Sequence, residues 1–147
     1  MAVAQDYDLI VRHGRVADGT GNPAFHADVA VKDGRIAAIG SVRGEAKEVI
    51  DVKGAVVAPG FIDVHSHGED IETLPLAENF ARMGVTTIVN GNCGGSKLNV
   101  GEHFQKLEQI GISINVATLI GHGTVRGKAM GGSFMRPPTD AELEQMR

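Results

Sequence analysis

The sequence predicts an α/β protein made of two differently patterned segments. Residues 1–58 have the pattern of short strands joined by tight turns, whereas residues 59–147 alternate strands with helices. The chain has 147 residues, of which 42% are hydrophobic and 22% are charged, so its composition is typical of a soluble globular protein with a hydrophobic core. We therefore expect a small β segment followed by the first βα units of a parallel sheet.

The first segment is predicted to form a small antiparallel sheet. "YDLIVRHG" is an extended apolar run, and "DVAVKDGRIAAIG" contains two strands around Asp33-Gly34, a dipeptide that tolerates the positive φ of a hairpin turn. "EVIDVKGAVVAPG" repeats this pattern around Lys53-Gly54 and predicts a second pair of strands.

The second segment is predicted to contain three βα units. Its strands are "FIDVH", "VTTIVN" and "ISINVATLIGHG", and its helices are "IETLPLAENFARMG" and "VGEHFQKLEQIG", each ended by a glycine. Thr139 and Glu142 have the spacing of a capping box and predict a further helix. Three βα units are too few to close an eight-stranded barrel, which needs about 250 residues. We therefore expect the chain to be incomplete.

Charge and composition exclude several classes of partner. The formal net charge is −4, with acids and bases interspersed, which argues against nucleic acid or an anionic membrane as a ligand. Neither a secretory signal nor an apolar run of membrane-spanning length is visible in the sequence. With Cys93 as the single cysteine, we expect a reducing, cytoplasmic environment.

Two histidines follow the first strand of the second segment, in "PGFIDVHSHGED". Side chains alternate along a strand, so Asp63, His65 and His67 are expected on one face, with the imidazoles about 6.6 Å apart along the chain. Two such imidazoles can converge on one cation, and Asp63 can orient one of them through a hydrogen bond. The alternative is a pair of solvated histidines near a loop.

The ends of the next two strands carry further reactive side chains. Cys93 lies in "NGNCGGS", where glycines give a thiolate access to a metal; the alternative is a small buried hydrophobic residue. "LIGHGTVRG" places His122 at the end of the third strand, followed by Arg126. Three successive strands thus bring metal-binding or acid–base residues to one edge, which predicts a metal site there.

Three other histidines and one glycine motif are expected to have structural roles only. The Gly-x-Gly of Gly121 and Gly123 lacks the full spacing of a dinucleotide-binding loop and is rejected as one. Three histidines are interpreted as structural residues in a strand, a turn region and a helix face, respectively: His13, His26 and His103.

Four stretches resemble one known family: "YDLIVRHGRVADGTG", "VAPGFIDVHSH", "GVTTIVNGNCGGS" and "NVATLIGHGTVRGKAMG". They are similar to the N-terminal portion of the N-acyl-D-amino-acid deacylases, the D-aminoacylase branch of the amidohydrolase superfamily. "PGFIDVHSH" is shared across that superfamily, and "GNCG" is specific to the branch. The resemblance covers nearly the whole chain but only about the first third of a typical member.

This resemblance implies a fold and a set of site residues. Residues 1–58 would belong to a small composite β-sandwich, and residues 59–147 would be the first βα units of a truncated, metal-dependent (β/α)₈ amidohydrolase barrel, a TIM barrel. The implied metal ligands are His65, His67 and Cys93. Residues expected to contact substrate or support the ligands are Asp63, His122 and Arg126. The general-base aspartate is expected beyond residue 147, so the chain would contain no catalytic residue and would be inactive alone.

The resemblance also implies an activity. It is zinc-dependent hydrolysis of the C–N amide bond of N-acyl-D-amino acids, with one or two Zn²⁺ ions and a small-molecule N-acyl amino acid as the binding partner. Alternatives are a hydantoinase-like or dihydropyrimidinase-like cyclic amidase and a non-catalytic truncated product. Such cyclic amidases carry a carboxylated lysine as the metal bridge, so Cys93 favours the deacylase.

Overall fold

The computed structural model describes residues 6–132 and 135–147. The chain divides into two compact units, Met1–Pro59 and Gly60–Arg147. Within the described residues, every helix is too short or too polar to cross a membrane.

The first unit is a five-stranded sheet around a small apolar core. The core is formed by Ile10, Ala30 and Val42, with Tyr7, Ala38 and Ala46 packed against it. The strand order is β3-β2-β1-β4, and β5 also pairs with β1. The strands are β1 (Tyr7–Val16), β2 (Phe25–Lys32), β3 (Arg35–Gly40), β4 (Ala46–Asp51) and β5 (Val56–Val57).

The hairpin predicted around Asp33-Gly34 is confirmed. Strands β2 and β3 pair antiparallel, with Lys32 opposite Arg35, and the two turn residues have φ values of 50° and 71°. Both values lie in the left-handed region that this turn requires, where glycine meets no steric penalty. His26 lies in β2, so the prediction that it occupies a turn region was wrong.

The second pair of strands is not a hairpin, contrary to prediction. Both β4 and β5 run parallel to β1, with Tyr7 opposite Ala46 and Arg15 opposite Val56. Between them, the amide of Gly54 donates to the carbonyl of His13 at 2.7 Å, so the chain stays beside β1 instead of reversing. The sheet is therefore mixed, because a turn dipeptide fixes local backbone geometry but not the direction of the next strand.

The second unit is a parallel sheet accompanied by helices, which confirms the βα alternation. The strand order is β6-β7-β8, and both pairings are parallel. Its core contains Ile71, Ala77, Ile88, Leu107 and Ile114. The elements are β6 (Phe61–Asp63), α1 (Glu78–Arg82), β7 (Val85–Asn90), α2 (Val100–Ile110), β8 (Asn115–Thr118), α3 (His122–Ala129) and α4 (Asp140–Gln145).

The helix ends follow the sequence signals closely. Gly84 and Gly111 follow α1 and α2 with φ values of 79° and 76°, as expected of glycines at helix C-termini. The capping box of α4 is confirmed, because the amide of Glu142 donates to the Thr139 hydroxyl at 3.3 Å and the Thr139 amide donates back to Glu142 at 2.8 Å.

Helix α1 and strand β6 are shorter than predicted. Pro75 interrupts the stretch predicted as helix, so that residues 69–76 form turns and only the last part is helical. Strand β6 ends at Asp63, which places both His65 and His67 outside it. The alternation of side chains along a strand predicts that Ile62 and Val64 share an apolar face that meets covering helices. That prediction was wrong, because the two residues are 63% and 69% exposed.

Candidate metal site

Three side chains converge beyond the carboxyl ends of β6 and β7. The Sγ atom of Cys93 lies 3.2 Å from Nε2 of His65 and 3.4 Å from Nε2 of His67. One ligand atom from each residue lies within 4.8 Å of the others, and all three side chains are exposed. His67 and Cys93 line a cavity of about 450 Å³. The three residues that the sequence proposed as metal ligands therefore form one cluster.

The histidines are positioned by a loop rather than by a strand. The Asp63 carboxylate accepts from the backbone amide of His65 at 3.1 Å, and the amide of Ser66 donates to the Val89 carbonyl at 3.1 Å. Ser66 is buried between the two exposed histidines. The expectation that a strand face aligns the imidazoles was therefore wrong, and Asp63 fixes the backbone of His65 instead of hydrogen bonding to a ring.

The side chain of Asn90, the last residue of β7, contacts the loop that carries both histidines (residues 64–68), which we call the histidine loop. Its buried side-chain oxygen accepts from the amide of Gly68 at 3.0 Å and lies 3.2 Å from the hydroxyl of Ser66. A buried polar group of this kind is costly unless it is paired, so the amide side chain fixes the loop's path. Sequence reasoning missed Asn90, although an asparagine ending an apolar strand was a visible signal.

The cysteine loop (residues 91–96) is held by close backbone contacts with the start of α3. The amide of Thr124 donates to the carbonyl of Gly94 at 3.0 Å, and the amide of Gly121 donates to the Ser96 hydroxyl at 2.8 Å. A Cβ atom on Gly121 or Gly123 would overlap the Gly94 carbonyl. The Gly-x-Gly motif rejected as a nucleotide loop thus has a structural role, because it lets α3 approach the loop that carries the cysteine.

His122 and Arg126 lie on α3, not at the end of a strand. Strand β8 ends at Thr118, and His122 is the first residue of α3. The prediction that His122 lies at the end of a strand was therefore wrong. Within the described residues, the cluster of metal-binding atoms does not include His122. The Arg126 guanidinium donates to the carbonyl of Arg136 at 2.6 Å. A substrate-contacting role for His122 and Arg126 stays a prediction.

Two carboxylates, Glu69 and Glu72, contact residues that line the cavity of the cluster. The Glu69 carboxylate lies 3.3 Å from Nδ1 of His67 and so can orient that ring. Farther along, Glu72 contacts Lys97, His103 and Lys106. The pKa of Glu72 is lowered to about 2, mainly by the hydrogen bond from Lys106 and next by the hydrogen bond from Lys97.

His103 is more than an ordinary residue of a helix face. It is buried on α2, its Nδ1 atom lies 2.8 Å from Glu72, and it lines the same cavity as His67 and Cys93. The prediction of a structural role accounts for its burial and its partner. Its place in the cavity wall depends on the packing of α2, which the helical spacing of the sequence does not specify.

A comparison with protein families identifies the group to which this chain is related. Residues 48–147 match the model of the amidohydrolase family. The chain belongs to the amidohydrolase family. The matched residues include all three members of the cluster.

Within this family, the chain is similar to deacylases of N-acyl-D-amino acids. The D-aminoacylase of Alcaligenes xylosoxydans xylosoxydans is 33% identical over 98% of this chain and 35% of its own length. A crystal structure of N-acyl-D-glutamate deacylase from Bordetella bronchiseptica, complexed with zinc and a phosphonate inhibitor, is 36% identical, with a TM-score of 0.87 over 95% of this chain and 34% of that one. The amidohydrolase chain therefore spans about a third of the length of these relatives, and it matches their α/β fold.

A more distant likeness concerns the cyclic-amidase alternative. A D-hydantoinase structure is 24% identical, with a TM-score of 0.57 over 95% of this chain and 36% of that one. This likeness shows the fold alone. The deacylase resemblance seen in the sequence is confirmed by the nearer matches.

Proposed function

We propose that the whole protein hydrolyses the C–N amide bond of N-acyl-D-amino acids, using zinc bound in part by His65, His67 and Cys93. The observation that carries this proposal is the convergence of two imidazole nitrogens on one sulfur, at 3.2 and 3.4 Å. The similarity to a D-aminoacylase and to a zinc-containing deacylase supports the substrate class and the metal.

The three residues fit a zinc ion by their chemistry and spacing. Zn²⁺ binds imidazole at about 2.0–2.1 Å and thiolate at about 2.3 Å, so neighbouring nitrogen and sulfur ligands in a tetrahedral site lie about 3.5 Å apart. The observed separations of 3.2 and 3.4 Å are close to this value. A soft thiolate with two imidazoles also favours zinc over magnesium or calcium, which prefer oxygen ligands.

In this proposal the residues of this chain bind and orient the metal ligands, and a residue outside residues 1–147 acts as the general base. When bound, zinc supplies a Lewis acid that polarises a carbonyl and makes water more acidic, with one or two ions proposed. Asp63 holds the backbone of His65, and Glu69 orients the ring of His67. We propose that the general-base aspartate is contributed from outside residues 1–147, as the family resemblance implies.

The cyclic-amidase alternative has less support in this chain. The family resemblance places a carboxylated lysine in the metal centre of those enzymes, whereas here the sulfur of Cys93 lies against both histidines. As the site of action we propose the reducing cytoplasm, because the free, exposed Cys93 would have to remain reduced in order to bind a metal.

The activity is tested with the whole protein and an enantiomeric pair of substrates. We expect zinc-dependent acetate release from N-acetyl-D-methionine, little release from N-acetyl-L-methionine, and loss of activity on chelation. His65→Ala and His67→Ala should each lower kcat/KM at least 100-fold with a small change in Tm, whereas His26→Ala on β2 should change neither. Activity retained in the His65 and His67 variants would contradict the assignment of the ligands.

A further inference from the structure

Among the described residues that line the cavity of the metal cluster, Lys97 is the one lysine or arginine. It follows the cysteine loop by one residue and lines the same cavity of about 450 Å³ as His67 and Cys93. Its side chain remains 48% exposed, so its ammonium group is accessible to a small molecule. We propose that Lys97 binds a carboxylate of the substrate and thereby determines which N-acyl amino acids are accepted; this inference rests on the proposed function.

A nearly buried carboxylate holds Lys97 in place. Oε1 of Glu72 lies 3.2 Å from Nζ of Lys97 and 2.8 Å from Nδ1 of His103, while Oε2 is paired with Lys106. The Glu72 side chain is only 12% exposed, so its orientation is fixed by the surrounding chain. A lysine side chain is flexible, and this anchor reduces the entropy that its ammonium group would otherwise lose on binding an anion.

The local charge balance leaves positive charge for a ligand. One carboxylate, Glu72, is shared by two ammonium groups, Lys97 and Lys106, and by one imidazole. Of the two lysines, Lys97 lines the cavity and Lys106 does not. The Glu69 carboxylate also lines the cavity, but its partner is Nδ1 of His67, at 3.3 Å, and not Lys97. A carboxylate entering beside the metal cluster therefore meets the ammonium group of Lys97.

Two carboxylates of an N-acyl amino acid could occupy this position. Every such substrate carries an α-carboxylate, and N-acyl derivatives of aspartate and glutamate carry a second one on the side chain. A lysine ammonium binds either one through the same charge-assisted hydrogen bond. The two sources are separated by comparing N-acetyl-D-glutamate with N-acetyl-D-methionine, which lacks the side-chain carboxylate but has a similar chain length.

The test compares two lysines that share one partner. In the whole protein, Lys97→Met should raise KM for N-acetyl-D-glutamate at least 10-fold, as expected for the loss of a charged hydrogen bond. Lys106→Met removes the other ammonium group from Glu72 and should change KM less than 2-fold. Lys97→Arg should recover most of the affinity, and zinc content should be the same in every variant.

The substrate pattern and a direct binding measurement decide the outcome. A loss confined to N-acetyl-D-glutamate assigns Lys97 to the side-chain carboxylate, and an equal loss on both substrates assigns it to the α-carboxylate. Calorimetric binding of N-acetyl-D-glutamate to metal-free protein should weaken in Lys97→Met and not in Lys106→Met. This readout stands even if the protein hydrolyses neither compound. Unchanged KM and unchanged binding in Lys97→Met, or equal effects of both methionine variants, would overturn the proposal.

Discussion

Nε2 of His65 and Sγ of Cys93 lie 3.2 Å apart although the two residues are separated by 28 positions in the chain. They belong to two different loops, the histidine loop after β6 and the cysteine loop after β7. Parallel strands β6 and β7 bring the starts of these loops to one edge of the sheet. The short distance between the two side chains also depends on the hydrogen bonds that Asn90 makes to the histidine loop and that α3 makes to the cysteine loop. Substitutions that disturb these bonds should therefore alter the metal site.

Replacing Asn90 should weaken metal binding without removing a ligand. Asn90→Ala leaves the buried amide of Gly68 without its acceptor, at about 1–3 kcal/mol. It also removes one of the two oxygens that lie 3.2 Å from the Ser66 hydroxyl, the other being the Val89 carbonyl. We expect a lower Tm and a 10- to 100-fold weaker zinc affinity, as is typical of residues that support metal ligands. Asn115→Ala, which removes an exposed asparagine of β8, should change neither. Wild-type zinc affinity in Asn90→Ala, measured by chelator competition, would contradict this role.

Two glycine-to-alanine substitutions should differ in their effect on the cysteine loop: Gly121→Ala should disturb it and Gly95→Ala should not. In Gly121→Ala the new Cβ would overlap the Gly94 carbonyl, so the start of α3 must move away from the loop that carries Cys93. Overpacking of this kind costs about 1–3 kcal/mol. In Gly95→Ala the Cβ would meet no described atom within 4 Å, so that variant should behave as wild type. The contacts between the loop and α3 are unimportant if both variants bind zinc with the same affinity.

Glu72 should contribute to the loss of folded-state stability at acid pH. Its pKa is lowered from 4.5 to about 2, first by the hydrogen bond from Lys106 and then by that from Lys97. The charged form is therefore favoured in the folded state, and its stabilisation is fully present above pH 4.5 and lost as the pH falls from 4.5 toward 2. In thermal unfolding between pH 7 and pH 3, the Tm difference between wild type and Glu72→Gln should shrink toward acid pH.

The control for this pH dependence is an exposed carboxylate on α1. Glu78 pairs with Arg82 in an exposed i,i+4 ion pair, and such surface pairs contribute little to stability. Glu78→Gln should therefore change Tm only slightly across the same pH range. A Tm difference for Glu72→Gln that stays constant with pH would show that its effect comes from packing rather than from its charge.

The sequence predicted the chemistry of the site better than its geometry. His65, His67 and Cys93 were identifiable because parallel strands bring their carboxyl ends to one edge, whatever the exact strand lengths. The length of β6 was not predictable, because the apolar pattern continues to Val64 while the regular pairing with β7 ends at Asp63. The direction of β5 was hidden for a similar reason, since Lys53-Gly54 fits more than one kind of turn.

Tertiary contacts account for the features that were missed. The environment of Asn90 is created by Ser66 and Gly68, which lie more than 20 positions away in the chain, at separations of 24 and 22 residues. The clustering of three basic side chains around Glu72 likewise depends on how α2, with His103 and Lys106, and the loop before it, with Lys97, lie against the turn that precedes α1. Neither a helical period nor a local motif contains this information.

Zinc K-edge X-ray absorption of the whole protein tests the proposed metal centre most directly. We predict a sulfur neighbour at about 2.3 Å together with nitrogen neighbours at about 2.0–2.1 Å. In Cys93→Ser the sulfur contribution should disappear and the zinc content should fall, because a neutral hydroxyl replaces a soft thiolate. A spectrum of the wild-type protein with nitrogen and oxygen neighbours alone, or a sulfur contribution that persists in Cys93→Ser, would contradict the assignment of Cys93 as a zinc ligand.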